Sequence, residues 1–232
     1  MNSSMQRRHT RPVVIGGIQV GGGAPVVIQS MTATDTRNVR ATVNQIRRLA
    51  RAGCEIIRVA VPDAEAARSL GDIRKASPIP LIADIHFQYR LALDALRQGV
   101  DALRINPGNL PRERIREIAA AAGARGVPIR IGVNAGSLEK DLLARYGGPR
   151  APALVESALR HIDVLRQAGF EDIKVSLKSS DVLTTLAAYR EISGRTDCPL
   201  HLGVTEAGTA VQAAIKSSLG IGILLAEGIG DT

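Results

Sequence analysis

A strand–helix unit recurs along this chain and restricts its fold more than any other feature of the sequence. Short apolar segments alternate with amphipathic segments, and the amphipathic segments end at glycines suited to the left-handed position after a helix: Gly53, Gly99, Gly126, Gly169 and Gly228. This pattern predicts parallel strands at 26–31, 55–61, 81–86, 102–106, 129–134, 172–177 and 200–205. It predicts helices at 39–52, 63–76, 88–98, 111–125, 138–145 with 151–168, 181–194 and 208–227.

Seven such units in a row predict an α/β fold of the (β/α)8 TIM-barrel type rather than a doubly wound sheet. Before them, residues 13–15 and 18–20 flank Gly16-Gly17 and predict an N-terminal β-hairpin. The eighth strand would begin only at Thr232, so we expect a barrel lacking that strand, in a fragment of a longer protein. The expected division is a flexible basic tail at 1–11 and a truncated substrate-binding barrel domain at 12–232.

The composition indicates the cellular compartment in which the protein works. No apolar run approaches the roughly 20 residues that span a bilayer, and the basic N-terminus has no apolar signal segment. Cys54 and Cys198 lack metal-ligand spacing, which fits a reducing compartment and predicts no metal site in this chain. We therefore expect a soluble cytoplasmic protein.

The net charge of +8 calls for an anionic partner or a solvated basic surface. The basic residues are spread over helical faces, and only 2% of residues are aromatic, which disfavours nucleic acid. We expect most of the charge on the surface and a minority of arginines and lysines placed for a small anionic ligand.

Polar residues fall on one parity of the predicted strands, the parity that faces the axis of a parallel barrel. They are Gln29, Arg58, Asp84, His86, Arg104, Asn106, Arg130, Asn134, Lys174, Ser176, Lys178, His201 and Thr205. Charged groups are rarely buried without a partner or a ligand, so these residues predict a polar pocket at the C-terminal ends of the strands.

Four of these residues, Arg58, Arg104, Arg130 and Lys178, favour a di- or polyphosphate ligand, since guanidinium forks and ammonium groups match phosphate oxygens. The alternative is a structural ion-pair lattice with Asp84 and Glu206. A second indication of an anion site lies at 128–141, where a strand ends at Asn134 and Ser137 is expected to cap a helix.

Two residues are candidates for proton transfer. His86 ends a predicted strand and can act as a ligand-binding or acid/base group. Glu206 follows the seventh predicted strand and is the best-placed carboxylate, although an acid at a helix N-terminus would explain it as well. Of the other histidines, His201 is expected to be structural and His161 to be exposed.

The motifs together resemble the 4-hydroxy-3-methylbut-2-enyl diphosphate synthase family of the methylerythritol phosphate route to isoprenoids. The matching segments are QSMT at 29–32 with TDT at 34–36, RVAVPD at 58–63, ADIHF at 83–87, RINPGN at 104–109, RIGVNAGSLEK at 130–140, LGVTEAG at 202–208 and EGIGDT at 227–232.

The resemblance implies reductive ring opening of 2-C-methyl-D-erythritol 2,4-cyclodiphosphate to 4-hydroxy-3-methylbut-2-enyl diphosphate, with loss of water. It implies that Arg58, His86, Arg104, Arg130, Asn134 and Lys178 bind the substrate and that Glu206 is the acid that assists proton transfer. We add Asp84 and Asn106 to the substrate-binding set because of their inward positions. It also implies a [4Fe-4S] cluster on a separate C-terminal domain with three cysteines and a glutamate. Ferredoxin or flavodoxin would supply the electrons, and in a homodimer the cluster domain would close over the partner's barrel.

This sequence departs from that family by lacking the eighth strand and the cluster domain. We therefore expect it to bind substrate, to bind no cluster and to give no turnover alone. Two other classes remain open: a pterin-binding synthase-like barrel, which transfers groups without redox chemistry, and a non-catalytic basic binding protein.

Overall fold

The computed structural model describes residues 6–86, 88–106 and 110–232. A hairpin comes first, formed by the antiparallel strands β1 (Val13–Ile15) and β2 (Ile18–Val20). The alternating region then comprises β3 (Gln29–Met31), α1 (Val39–Arg51), β4 (Ile56–Ala60), α2 (Ala64–Ala76), β5 (Leu81–Ile85), α3 (Tyr89–Arg97), β6 (Ala102–Ile105), α4 (Arg112–Gly123), β7 (Ile129–Asn134), α5 (Lys140–Tyr146), α6 (Ala151–Gln167), β8 (Ile173–Lys178), α7 (Val182–Ser193) and α8 (Ala210–Ala226). Strands β3 to β8 form one six-stranded parallel sheet in sequence order, which confirms the α/β barrel-type prediction and the hairpin.

Local signals set the helix limits. The side chains of Asn38, Asp63, Asp181 and Thr209 each accept a backbone N–H in the first turn of the helix that follows. The five glycines expected after helices all have positive φ, between 62° at Gly126 and 96° at Gly53. None of the helices in the described part of the chain combines the length and apolar character needed to cross a bilayer.

The two faces of the sheet bury different residues. Ile57, Leu103 and Ile131 pack between the sheet and the surrounding helices, in the large apolar core. On the opposite parity, Ile56 and Ile82 belong to a second apolar cluster, which is completed by Ala102, Val27 and the hairpin residues Val13, Ile15 and Val20. The hairpin therefore covers the N-terminal end of the barrel axis, and the polar inward residues further along each strand face the other end.

The predicted strand at 200–205 forms only its first bridge, between Leu200 and Val175. The hydroxyl of Tyr189 on α7 lies next in line: it donates to the carbonyl of His201 and accepts from the Leu177 amide at 3.1 Å. In a continued ladder with β8, the Leu177 amide would donate directly to the His201 carbonyl. The buried Tyr189 hydroxyl stands between these two groups and replaces that hydrogen bond.

Backbone hydrogen bonds continue from this segment to the other edge of the sheet. The amide of Asp231 donates to the Leu200 carbonyl at 2.8 Å, and the amide of Val27, just before β3, donates to the Asp231 carbonyl at 3.1 Å. Leu202 N donates to Thr232 O at 2.8 Å. Residues 231–232 thus lie where the eighth strand of a barrel would begin, which refines the prediction of a missing strand.

Residues 6–11 differ from the flexible tail that was expected for 1–11, of which 1–5 lie outside the described residues. Arg7 donates to the carbonyls of Ala24 and Gly230 at 2.6 and 2.8 Å, and Arg8 N donates to Gly228 O at 3.0 Å. The Thr10 hydroxyl donates to Asp231 Oδ1 at 3.1 Å. The bonds to Gly228 and Gly230 form because the segment crosses the glycine-rich turn after α8, where carbonyls lack helical partners.

Candidate active site

Most of the polar residues predicted to face the axis meet at the C-terminal ends of the strands, in a cavity of about 400 Å³. A larger cavity of about 670 Å³ adjoins it and shares His86, Asn134, Thr205 and Glu206. All nine predicted site residues line one or both: Arg58, Asp84, His86, Arg104, Asn106, Arg130, Asn134, Lys178 and Glu206. The strand register explains part of this arrangement, because Asp84, Arg104, Arg130 and Lys174 are successive partners across β5, β6, β7 and β8.

Asp84 organises one side of the inner cavity. Its carboxylate accepts from Arg104 Nη1 at 3.0 Å and lies 3.5 Å from Arg58 Nε and 3.4 Å from His86 Nε2. Burial alone would raise the pKa of Asp84, but the hydrogen bond from His86 and the charges of Arg104 and Arg58 outweigh it, so this pKa lies well below its usual value. Asp84 therefore stays ionised and orients both guanidinium groups.

Gly132 on β7 makes room for Arg104. A Cβ at this position would lie 2.7 Å from Arg104 Nη2 and 2.9 Å from its Cζ. The guanidinium instead crosses over the glycine and donates from Nη2 to the Gly132 carbonyl at 3.3 Å. An inward strand position without a side chain is thus what allows the buried arginine to reach Asp84.

Arg130 is the least satisfied charge in the site. It is 2% exposed, and its only hydrogen bond runs from Nη1 to Ser176 Oγ at 3.2 Å, whereas Nε and Nη2 have no partner among the described residues. Burial and the charges of Arg58 and Arg104 lower the pKa of Arg130 well below its usual value. Such a group favours an anionic ligand that would accept from its free nitrogens.

Two lysines on β8 lie at different depths. Lys178 lines the inner cavity, and its Nζ lies 3.4 Å from His201 Nε2. Lys174 is buried beneath it and donates to Gln29 Oε1 at 3.3 Å. Burial, followed by repulsion from Arg130, lowers the pKa of both lysines and of His201 well below their usual values. His201 is therefore a buried neighbour of the site, as its depth in the predicted strand suggested.

The charges of the inner cavity do not balance. Its lining holds four basic side chains, Arg58, Arg104, Arg130 and Lys178, and two carboxylates, Asp84 and Glu206. Glu206 is exposed at the mouth, and within the described residues Arg130 and Lys178 have no ion pair. The alternative of a structural ion-pair lattice accounts for Arg58 and Arg104 but leaves Arg130 and Lys178 without acids.

The loop after β7 differs from the expected helix start. Ser137 ends a short 3-10 turn, Ala135–Ser137, and α5 begins at Lys140 after Glu139, which makes no side-chain cap. The Ser137 hydroxyl accepts from Asn106 Nδ2 at 2.9 Å and donates to the Asn134 carbonyl at 3.3 Å. Since α5 begins only at Lys140, with Glu139 in the N-cap position, Ser137 lies too far upstream to cap it, so the prediction of Ser137 as N-cap was wrong. The loop nevertheless lines the outer cavity.

Glu206 and His86 stand at the mouth. Glu206 has φ +50°, the one positive φ among the described non-glycine residues, and such conformations persist where surrounding structure imposes them. Helix α8 begins only at Ala210 behind a capping box formed by Thr209 and Gln212, so Glu206 lies outside its first turn. This argues against a role for Glu206 as a helix N-terminal acid. His86 is 47% exposed and touches both cavities.

Sequence reasoning missed several lining residues. Met31 accepts from Arg58 Nη2 on its sulfur at 2.9 Å, and its parity with Gln29 on β3 would have indicated it. Pro149 and Ser180 come from loops, where no parity rule applies. His161 was expected to be exposed, and this was wrong: it is buried, with Nε2 3.0 Å from Glu139 Oε1.

The described residues contain no group of three or more His, Cys, Asp or Glu side chains placed to hold a metal. Cys54 and Cys198 are both buried and free. These residues do not fit the ligand set of an iron–sulfur cluster.

Residues 10–232 match the family model of the GcpE TIM-barrel domain. A curated relative from Thermodesulfovibrio yellowstonii is 58% identical over 98% of this chain and 66% of its own length, and one from Geobacter sulfurreducens is 59% identical over 96% of this chain and 64% of its own length. Both are named 4-hydroxy-3-methylbut-2-en-1-yl diphosphate synthase (flavodoxin). The chain thus spans just under two thirds of these relatives.

Two kinds of solved structure share the fold at low identity. A dihydropteroate synthase from Stenotrophomonas maltophilia has a TM-score of 0.69 at 13% identity, covering 95% of this chain and 90% of its own. A type I 3-dehydroquinate dehydratase from Clostridium difficile has a TM-score of 0.65 at 18% identity, covering 89% and 84%. At this identity the likeness shows the barrel fold alone.

Proposed function

Because the chain belongs to the GcpE family through its TIM-barrel domain, we propose that it binds 2-C-methyl-D-erythritol 2,4-cyclodiphosphate. The reaction served is the reductive ring opening of this compound to 4-hydroxy-3-methylbut-2-enyl diphosphate in isoprenoid biosynthesis. The relatives carry the name of that synthase, which supplies the product, and the cyclodiphosphate substrate is what the resemblance of the motifs implies.

The observation that carries the proposal is the buried Arg130, whose Nε and Nη2 have no partner among the described residues, in a cavity with more basic than acidic side chains. Each phosphate of a cyclodiphosphate bears an ionised oxygen, so the ligand would offset the excess positive charge. Arg130 Nε and Nη2 would gain acceptors that the described protein residues do not provide. Phosphate oxygens accept such donors in short, charge-assisted hydrogen bonds.

Each site residue has a role that follows from its place. Arg58, Arg104, Arg130 and Lys178 bind the two phosphates, and Asp84 orients the first two of these. Asn106 and Asn134 hold the loop after β7 and present amide groups to the organic part of the ligand.

Glu206 and His86 lie at the mouth, where they can exchange protons with solvent and ligand. The net reaction takes up two electrons, breaks the ring carbon–oxygen bond to phosphate and expels a hydroxyl as water. Glu206 is the group we assign to protonate that hydroxyl, and His86 is the second acid/base group at the mouth of the cavity.

In the full-length enzyme the electrons would come from flavodoxin or ferredoxin through a [4Fe-4S] cluster, within a cytoplasmic homodimer. Since the described residues of this chain do not fit a cluster, we assign no step of the barrel to it. The chain's own task is to bind the cyclodiphosphate, orient it and supply protons.

Calorimetry and thermal melting with three ligands test the proposal. The cyclodiphosphate should bind and raise the melting temperature, since a ligand at 100 times its Kd stabilises the native state by about 2.7 kcal/mol. Pyrophosphate should bind more weakly, and a short RNA should not bind at moderate salt. Arg114→Met, which removes a surface cation paired with Glu117, is the charge control and should bind as wild type does. A chain stabilised by RNA and not by the cyclodiphosphate would contradict the proposal and favour a basic binding protein.

A further inference from the structure

A buried polar cluster lies behind the loop that lines the outer cavity. It consists of Glu139, which precedes α5, and of Ser157 and His161 from α6; we refer to it as the Glu139 cluster. Glu139 Oε1 accepts from Ser157 Oγ at 3.2 Å and lies 3.0 Å from His161 Nε2. Ser157 and His161 are both buried, and the Glu139 side chain is 20% exposed.

The Glu139 carboxylate is ionised in this setting. Burial would raise its pKa, but the hydrogen bond from His161, a backbone hydrogen bond and the one from Ser157 lower the pKa to about 2. A half-buried carboxylate on a loop is costly unless such partners hold it. The cluster therefore ties the chain at position 139 firmly to α6.

Helix α6 is a suitable anchor. Its inner face, including Leu154, Ala158 and Leu165, is fully buried in the core. The loop is held on its cavity side by a separate set of contacts, from Asn106 to Ser137 and from Ser137 to the Asn134 carbonyl. The loop is thus attached at Ser137 on its cavity side and at Glu139 on α6, with only Leu138 between the two attachments.

We propose that Glu139, Ser157 and His161 are positioning residues that hold the loop after β7 so that Asn134, Gly136 and Ser137 face the bound anion. None of the three lines either cavity, so their influence on binding passes through the loop. The inference rests on the proposed function for the identity of the ligand, whereas the ordering of the loop itself is a property of the ligand-free chain.

Glu156 provides a matched control on the same helix pair. Its carboxylate accepts from Arg145 Nη1 at 2.7 Å and from the Tyr146 hydroxyl at 2.6 Å, both at the far end of α5. Glu156→Ala therefore removes a tie between α6 and α5 without touching the loop.

The experiment measures amide hydrogen exchange and cyclodiphosphate affinity in wild type, Glu139→Ala, Glu139→Gln and Glu156→Ala. In Glu139→Ala we expect exchange at 135–138 to quicken and the Kd to rise, each about tenfold, because hydrogen bonds to a charged group are lost. Glu139→Gln keeps an acceptor oxygen for Ser157 and His161, so most of the effect should be rescued. Glu156→Ala should match wild type at 135–138 and in Kd.

Wild-type exchange and Kd in a folded Glu139→Ala would overturn the inference. If that variant does not fold, Ser157→Ala, which removes one hydrogen bond and leaves the charge, should still speed exchange at 135–138; unchanged exchange there would overturn it equally. If wild type fails to bind the cyclodiphosphate, the proposed function fails, and the exchange data alone decide whether the Glu139 cluster holds the loop.

Discussion

A methyl group at position 132 would occupy space that the Arg104 guanidinium fills. The added Cβ would lie 2.7 Å from Arg104 Nη2 and 2.9 Å from Cζ, roughly 1 Å inside the 3.5–4.0 Å at which non-bonded carbon contacts are optimal. Arg104 is buried and Gly132 lies in β7, which pairs with a strand on each side, so the arginine side chain has to move. Gly132→Ala therefore displaces a residue of the proposed ligand-binding set without deleting it.

The cost follows from the contacts that Arg104 would lose. Its Nη1 donates to Asp84 at 3.0 Å, and a hydrogen bond between charged groups contributes about 1.5–3 kcal/mol. Overpacking adds about 1–3 kcal/mol, partly relieved by the shift itself. We expect a net loss of about 2 kcal/mol in the free energy of unfolding, which lowers Tm by about 4–8 °C in a chain of this size. Loss of one guanidinium contact should raise the Kd for the cyclodiphosphate about 10–100-fold.

Calorimetry and thermal melting measure both effects. Gly222→Ala is the matched control, since Gly222 is exposed on α8 and its added Cβ would meet nothing within 4 Å. That variant should bind as wild type does and gain about 0.5–1 kcal/mol from helix propensity. Wild-type Tm and Kd in Gly132→Ala would refute the reasoning, because Arg104 could not then lie against Gly132.

Three further predictions concern the buried polar groups. Arg130→Met should raise the Kd for the cyclodiphosphate about 100-fold without lowering Tm, since the free chain leaves two Arg130 nitrogens without partners; a lower Tm with unchanged binding would contradict this. Burial and the charge of Arg130 lower the pKa of Lys178 from its usual 10.5. Between the lowered pKa and pH 10.5 the unfolded chain therefore holds more protons than the folded chain, and the free energy of unfolding should rise with pH. A bound polyanion should return Lys178 to its protonated form. Calorimetry in buffers of different ionisation enthalpy should therefore detect proton uptake on binding in wild type, and less uptake in Lys178→Met. Equal uptake in the two proteins would contradict the assignment to Lys178. Tyr189→Phe should cost about 1–3 kcal/mol in urea unfolding, because the Leu177 amide and the His201 carbonyl lose their buried partner; unchanged stability would show that the strand ladder had formed in its place.

Much of the fold could be predicted because its signals are local. The alternation of short apolar strands with amphipathic helices follows from periods of two and 3.6 residues, and the glycines after helices mark positions of positive φ. The parity of residues along each strand was enough to predict that one cavity would contain Arg58, Asp84, Arg104, Arg130 and Lys178. Parallel strands in register place their inward residues side by side.

The rest depended on contacts between distant parts of the chain. Ser137 does not cap α5, which begins only at Lys140; its hydroxyl instead bonds to Asn106 and to the Asn134 carbonyl. The Tyr189 hydroxyl takes the backbone partner that would have continued the predicted strand at 200–205. His161 is buried against Glu139 instead of facing solvent. In each case a hydrogen-bonding group had more than one possible partner, and local periodicity gives no means of choosing among them.

The sequence by itself therefore determined the order of elements, the face on which each charge lies and the end of the barrel that carries the site. Only the tertiary structure decided how those charges are arranged. Arg104 lies over Gly132, Arg130 keeps two nitrogens without partners among the described residues, and Asp231 joins the Leu200 segment to Val27. The physical reason is that a side chain's parity is set by its neighbours along the strand. Its hydrogen-bond partner is set by which groups the packed barrel brings within about 3 Å of it.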